Sequence, residues 1–358
     1  MKLGIVGLPN VGKTTLFNAL TGSKAETGSY SMAGAKPNIG SAKVPDERLD
    51  WLAEYYHPKK YSPASIDFVD VVGIGKGGGR GNEALNVLRQ TDALVQVVRC
   101  FENEDIFLEE ADAARDAETL NLELILADLE LAERRLERAK KNAKSGDKKY
   151  KREVTMCEAL IEHLSDGKSA RTFEFTDEDK DILQDGGLLS IKPVIYVANL
   201  DEDGMAYYQN NANFKALAAI AAQQDAAVLP VAAKFEEDIV DMDAEEAAMF
   251  MEELGLTERG LDRLIKTSYD LLGYISFLTA GEDDVHAWTI VRGTKAPKAA
   301  GKIHTDIERG FIRAEIVAFE DLKRCGSMAA VKEKGLFRLE GKEYVMQDGD
   351  VTMFRFNI

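Results

Sequence analysis

The sequence predicts an α/β protein in which a parallel sheet is interrupted by an inserted antiparallel helical hairpin and followed by a small α+β domain. Three observations predict it. Short apolar, β-branched runs at 2–7, Ile66–Val72, Leu94–Val98, Val194–Ala198 and Ala227–Val231 alternate with helical patterns, as in a sheet covered on both faces. From Thr119 that alternation gives way to a heptad stripe, Leu122, Ile125, Leu129, Ala132, Leu136 and Ala139. After a polar turn at Ser145-Gly146-Asp147 the stripe repeats with Val154, Cys157, Ile161 and Leu164. Two such stripes joined by a turn form a helical hairpin. Beyond about Leu272, strand candidates Ala287–Val291, Ile312–Ala318, Glu343–Val345 and Val351–Phe356 alternate with Gly-rich and Asp-Gly turns, which marks a separate α+β domain.

Taken from the N-terminus, the first strand leads directly into Gly7-Leu8-Pro9-Asn10-Val11-Gly12-Lys13-Thr14-Thr15. A GxxxxGK[ST] run between a strand and a helix is a phosphate-binding P-loop, so the first domain reads as a P-loop NTPase of the G-domain type. Backbone N–H groups of residues 10–15 would wrap a triphosphate at the helix N-terminus. Lys13 would neutralise the β- and γ-phosphates, and Thr14 would offer its hydroxyl to Mg²⁺. The next strand ends in Asp70-Val71-Val72-Gly73. There the Asp70 carboxylate is a second Mg²⁺ partner through water, and the Gly73 N–H is a sensor of the γ-phosphate. Six of the nine residues from Gly73 to Gly81 are glycine, a loop with little to fix its shape without a ligand. Ile74 follows Gly73 where many GTPases carry a water-orienting glutamine. Asn10 either binds K⁺, whose charge then replaces an arginine finger, or is a plain turn residue.

The strand at 194–198 delivers Asn199-Leu200-Asp201-Glu202. GTPases carry NKxD here, and its Asp holds guanine N1–H and the 2-amino group. Glutamate at the third place after Asn199 misplaces that carboxylate by a methylene, and unmatched polar groups cost guanine affinity. ATP is therefore the expected nucleotide. Asp201, one place early, keeps a GTPase switch open as the alternative. Ala232-Ala233-Lys234 fits the loop whose backbone touches the base.

Composition narrows the class. The net charge of −17 argues against general affinity for nucleic acid. The three cysteines are far apart and the four histidines scattered, so no disulfide framework or metal motif is expected. Neither an apolar run of about eighteen residues nor a leader before the first strand is seen, so neither a membrane span nor a signal peptide is expected. A cytoplasmic location follows as the expectation. One basic element stands out: Arg134, Arg135, Arg138, Lys140, Lys141, Lys144, Lys148, Lys149, Lys151 and Arg152, against only Glu137 and Asp147. At the tip of a hairpin it is either an rRNA or tRNA contact or a solvated helix face.

Several runs together resemble the Obg-like ATPase (YchF) family of translation-factor-class P-loop proteins over essentially the full length. They are the P-loop 7–15, Pro45-Asp46-Glu47-Arg48-Leu49, Val98-Arg99-Cys100-Phe101-Glu102-Asn103, Ala127-Asp128-Leu129-Glu130, Asn199–Glu202, Gly293-Thr294-Lys295-Ala296-Pro297 and Ile303-His304-Thr305-Asp306. The resemblance implies a nucleotide-binding domain in two parts, 1–118 and 190–274, a coiled-coil arm at 119–189, and a TGS domain of β-grasp fold at 275–358. It implies ATP hydrolysis favoured over GTP, with Mg²⁺ and K⁺, and ribosome association, with rRNA met by the arm tip 134–152 and protein partners by the TGS domain. Leu200 would be the backbone contact to adenine. His304 and Asp306 have no nucleophile or metal partner beside them and are expected to be structural or partner-contacting. Two departures stand out. Gly34 occupies the place of the family's switch I threonine, and the Gly-rich loop is shorter than usual. Both point to slow turnover, or at the limit to a nucleotide-sensing scaffold.

Overall fold

The computed structural model describes residues 2–25, 37–71, 81–103, 107, 109–183, 187–240 and 242–357. The predicted α/β class is borne out. In chain order the first elements are β1 (Lys2–Val6), α1 (Lys13–Thr21), β2 (Asn38–Lys43), α2 (Glu47–Tyr56), β3 (Lys60–Ser62), β4 (Ser65–Asp70), α3 (Gly81–Arg89) and β5 (Ala93–Arg99). The hairpin α4 (Ala113–Ala143) and α5 (Lys148–Ser165) follows, then α6 (Asp177–Leu183) and β6 (Val194–Asn199). Next come α7 (Glu202–Met205), α8 (Ala212–Gln223), β7 (Ala227–Val231), α9 (Ala233–Ile239), α10 (Ala244–Glu253) and α11 (Gly260–Leu271). The chain ends with β8 (Tyr274–Ala280), β9 (Asp284–Val291), α12 (Ala296–Ile303), α13 (Thr305–Arg309), β10 (Phe311–Ala318), α14 (Phe319–Cys325), α15 (Met328–Glu333), β11 (Arg338–Glu340) and β12 (Asp350–Phe356).

Two compact units result, 1–41 with 67–264, and 42–66 with 265–358. The first holds the sheet β2-β4-β1-β5-β6-β7, with β1 parallel to β4 and β5, and β6 parallel to β5 and β7. The register sets Ile5 beside both Asp70 and Val95, so the P-loop and Asp70 leave the sheet at the same edge. β1, β5 and β6 are almost wholly buried, which is why they read as continuous apolar runs. β2, an edge strand with exposed Ile39, lacks that signal and escapes sequence reading.

The helical hairpin forms as expected, with Asp147 capping the return helix through Lys149 N. One stripe position does not face inward. Leu122 is 49% exposed, while Leu120, Leu124, Ile125 and Asp128 are buried. A straight helix turns every 3.6 residues and drifts off a 3.5 repeat. The early turns of α4 also pack on the body: Ala113, Ala117, Leu120 and Leu124 share one core cluster with Val98, Leu189 and Tyr196. Farther out Ile125 and Ala132 meet Leu160 and Leu164.

The second unit is a mixed sheet, β11-β10-β12-β8-β9-β3, on which α12 lays Ala296, Ala299 and Ala300 against Ile275, Phe277 and Phe354. The sequence reading has no candidate for β3, β8 or β11 of this sheet, and two further features differ from it. Residues 42–66 belong to this unit rather than to a continuous 1–118 domain. They are held by β3, which pairs in parallel with β9, by Lys59 and Ser62, which reach Asp283 and Asp284, and by Arg48, whose guanidinium reaches Asp348 at 2.8 Å, long-range contacts with no periodic signal. The expected strand Glu343–Val345 is reduced to one bridge, Lys295 to Val345. Its polar groups are taken up locally, with Tyr344 N–H donating to Gly341 O and the Tyr344 hydroxyl to Asp350.

Candidate functional site

The site forms where β1 turns into α1. Gly7 is required by packing, since a Cβ there would stand 2.6 Å from the Val97 carbonyl oxygen. Gly12 has φ of 95° and lies so close to Asn199 that a Cβ would fall 2.3 Å from its Nδ2. Asn10 has φ of 63°, a left-handed conformation that asparagine tolerates well. Gly12 caps α1 with no side-chain hydrogen bond, and the first turn holds no acidic residue. The N–H groups of Lys13, Thr14 and Thr15 therefore face an open helix N-terminus, as an anion requires.

Lys13 lies over this loop with its Nζ donating to the Leu8 carbonyl at 2.6 Å. Burial depresses its pKa to about 8, against the pull of Asp70. Thr14 Oγ1 donates to Asp70 Oδ2 at 2.9 Å, and Asn38 Nδ2 lies 3.4 Å from the same oxygen. Asp70 Oδ1 is buried with no hydrogen-bond partner among the described residues. An orphaned carboxylate oxygen is costly in a folded interior. A hydroxyl and a carboxylate side by side are hard oxygen donors of the kind Mg²⁺ takes, usually with only one or two protein ligands beside substrate phosphates. The residues present fit that metal. Asn38, at the start of β2, is the member of this cluster that sequence reasoning missed; its position just after Pro37 is the only cue it offered.

On the other flank Asn199 is buried at the end of β6. Its Nδ2 donates to Val11 O at 2.9 Å, and its Oδ1 accepts from Ala233 N at 3.0 Å. One amide side chain thus ties the P-loop to the loop at Ala232–Ala233. Leu200 N–H donates to Val231 O, and its side chain is buried. Asp201 caps α7, accepting from Gly204 N at 2.7 Å, whereas Glu202 stands exposed as the first residue of that helix. Glu236, also missed from sequence, is buried and receives the Gly260 and Leu261 N–H groups at the start of α11 together with Arg259. Gly34, Gly73 and Ile74, and with them both switch segments named from sequence, lie outside the described residues.

This geometry can be set beside known proteins. The chain is 49% identical to the ribosome-binding ATPase YchF of Bacillus subtilis over 361 residues, covering 99% of each. The chain belongs to the YchF family. The Haemophilus influenzae YchF of the same description is 44% identical over all of this chain and 99% of its own. Rice Obg-like ATPase 1 is 40% identical over all of this chain and 92% of its own. Residues 2–127 match the family model of the 50S ribosome-binding GTPases, and residues 274–357 match the YchF-GTPase C-terminal model, described only as a protein of unknown function. The solved structure of the Schizosaccharomyces pombe YchF GTPase superimposes with a TM-score of 0.86 at 34% identity, covering 99% of this chain and 97% of that one. YchF relatives thus match the chain across both units. Among the described residues no helix is long and apolar enough to cross a membrane.

Proposed function

We propose that this chain binds ATP over the Lys13 loop, hydrolyses it with Mg²⁺, and associates with the ribosome in a nucleotide-dependent way. One observation carries the reading: the Thr14–Asp70 pair, with a carboxylate oxygen that has no partner among the described residues, beside a lysine whose one hydrogen-bond acceptor among them is a loop carbonyl. Each of these groups is under-satisfied until a metal–triphosphate arrives. Lys13 exchanges the Leu8 carbonyl for β- and γ-phosphate oxygens, and the free N–H groups of residues 10–15 take the rest. Thr14 through its hydroxyl and Asp70 through water would hold Mg²⁺, whose charge would offset that of the phosphates. Gly73 is the proposed γ-phosphate sensor.

For the base, adenine is supported by Asp201. Its carboxylate is already committed to Gly204 N, so turning it to guanine would uncap α7. Glu202 is the residue left, and it is the wrong length for the guanine edge. Leu200, Ala232 and Ala233 supply backbone around adenine. The relatives' names include both ATPases and a GTPase, so the choice is tested directly by calorimetry with ATP and GTP. Tenfold or greater preference for ATP is expected, and equal affinity would return the GTPase alternative. Asn10 as a K⁺ ligand is tested by comparing turnover in K⁺ and Na⁺ buffers, where equal rates would remove it. With Gly34 and a short Gly-rich loop, turnover is proposed to be slow; a single-turnover rate equal to that of a relative carrying the threonine would contradict this.

Partners follow from charge. Arg135, Lys140 and Arg152 are paired with Glu153, Glu158 and Asp179. Arg134, Arg138, Lys141, Lys144, Lys148, Lys149 and Lys151 remain exposed at the hairpin tip. These seven are the proposed rRNA contact, in an otherwise acidic chain. The second unit, a mixed sheet holding α12, is proposed to be the β-grasp TGS domain and a protein-binding module in a cytoplasmic protein.

A further inference from the structure

Helix α3 packs beside the nucleotide site through Ala84 and Leu88, which share a core cluster with Val6 before the P-loop and with Val69 and Val71 on either side of Asp70. That helix resumes the chain after the segment that leaves Asp70, and its last residue, Arg89, is gripped by both strands of the arm's base. Arg89 donates to the Gly187 carbonyl on the returning chain and to the Ala127 carbonyl on α4 at 3.3 Å, with Asp128 3.6 Å away. Lys192 reaches back to the carbonyls of Arg89 and Thr91, a cation at a helix C-terminus. Asp128, fully buried halfway along α4, takes the Leu189 and Ser190 N–H groups and the Ser190 hydroxyl at 2.7–3.0 Å. Apolar packing follows the same path, since Ala84 and Leu88 of α3 share a core cluster with Leu124, Ala127 and Leu189.

We propose that the Arg89–Asp128 joint is a positioning device through which the nucleotide at the Lys13–Asp70 site sets the tilt of the basic arm. This regulation rests on the nucleotide-binding reading above. A shift of α3 cannot be absorbed by Arg89 alone, because its two carbonyl acceptors lie on the two different strands of the arm's base. It must move both or break with one. The leverage is large. Fifteen residues separate Asp128 from the end of α4 at Ala143, about 23 Å of helix, so a tilt of about 10° displaces the tip by about 4 Å. Buried polar joints of this kind have discrete arrangements rather than a continuous range, which suits a switch.

The test is pulsed electron–electron distance measurement on the full chain, spin-labelled at Lys144→Cys on the tip and Lys215→Cys on α8. Cys325 is replaced by serine, and Cys100 and Cys157 are buried. Samples are compared without nucleotide and saturated with Mg²⁺ and a non-hydrolysable ATP analogue, with binding verified by calorimetry on the same material. In the wild-type background the distance distribution should shift by several ångströms on saturation. In Arg89→Gln the shift should vanish while analogue affinity stays within about twofold, and Arg89→Lys should restore part of it. Should Arg89→Gln fail to fold, Asp128→Asn serves as the second variant with the same expectation. A saturated wild-type protein whose distance does not move, or a variant that keeps the full response, overturns the proposal. Absence of analogue binding to the wild type overturns the nucleotide reading itself, and calorimetry separates that failure from the other two.

Discussion

Two buried aspartates in the first unit are opposites. Asp128, inside the arm base, receives two backbone N–H groups and a hydroxyl and sits beside Arg89. Burial lifts its carboxyl above the usual range, while those donors and the Arg89 charge pull it back. Asp70, at the C-terminal end of β4, has the Thr14 hydroxyl and a long contact from Asn38 on one oxygen and, among the described residues, nothing on the other. A fold that meets every need of one carboxylate and leaves another half-met is spending the second on something outside itself. In this pair full satisfaction marks architecture and the deficit lies at the site; among the described residues Gln96 and Arg99 of β5 also carry buried atoms without a partner, so the deficit points to a site only together with the P-loop beside it.

That contrast can be broken by substitution. Asp70→Ala should lower Mg²⁺-dependent ATP affinity about 100-fold yet change the melting behaviour of the nucleotide-free protein by less than about 1 kcal/mol. Asp128→Ala should do the reverse, costing about 3 kcal/mol in denaturant unfolding because two buried N–H groups lose their acceptor, with ATP affinity held within about twofold. If both variants lose stability equally, the contrast is wrong. Glu202→Asp combined with Leu200→Lys should move the ATP-to-GTP preference about tenfold toward GTP, read by competition binding. Asp201→Ala should cost only about 1 kcal/mol, the worth of a helix cap, and leave base preference unchanged; a drop in residual GTP binding would show that Asp201 reads the base after all.

A pH series sharpens the same picture. The Lys13 pKa is lowered to about 8 from 10.5, so between those values the unfolded chain binds more protons than the folded one. The stability of the nucleotide-free protein should therefore rise with pH across that window. Bound phosphate reverses the shift by favouring the charged lysine. ATP affinity should fall as pH climbs through 8, with proton uptake on binding, and Lys13→Ala should flatten both trends.

Much of this was legible in the chain because the signals are local. The P-loop, its flanking strand and helix, Asp70 and the hairpin are each written in a short window of spacing and residue type. The rest depends on contacts between residues far apart in sequence. Arg48 with Asp348, Asn199 with Val11 and Asp128 with Ser190 leave no periodic trace. The quoted motifs held Arg48 and Asp128, but only the fold shows that one ties 42–66 into the second unit and the other closes the arm base. Leu122 failed for a different reason, since a heptad template was laid on a helix whose first turns belong to the body.

The most direct test is titration calorimetry of the wild type and Lys13→Ala with Mg²⁺ and ATP in K⁺ buffer. Wild-type binding at one site, weakened about 100-fold in the variant, is the expected result. Equal affinity in the two proteins would contradict the placement of the triphosphate over this loop.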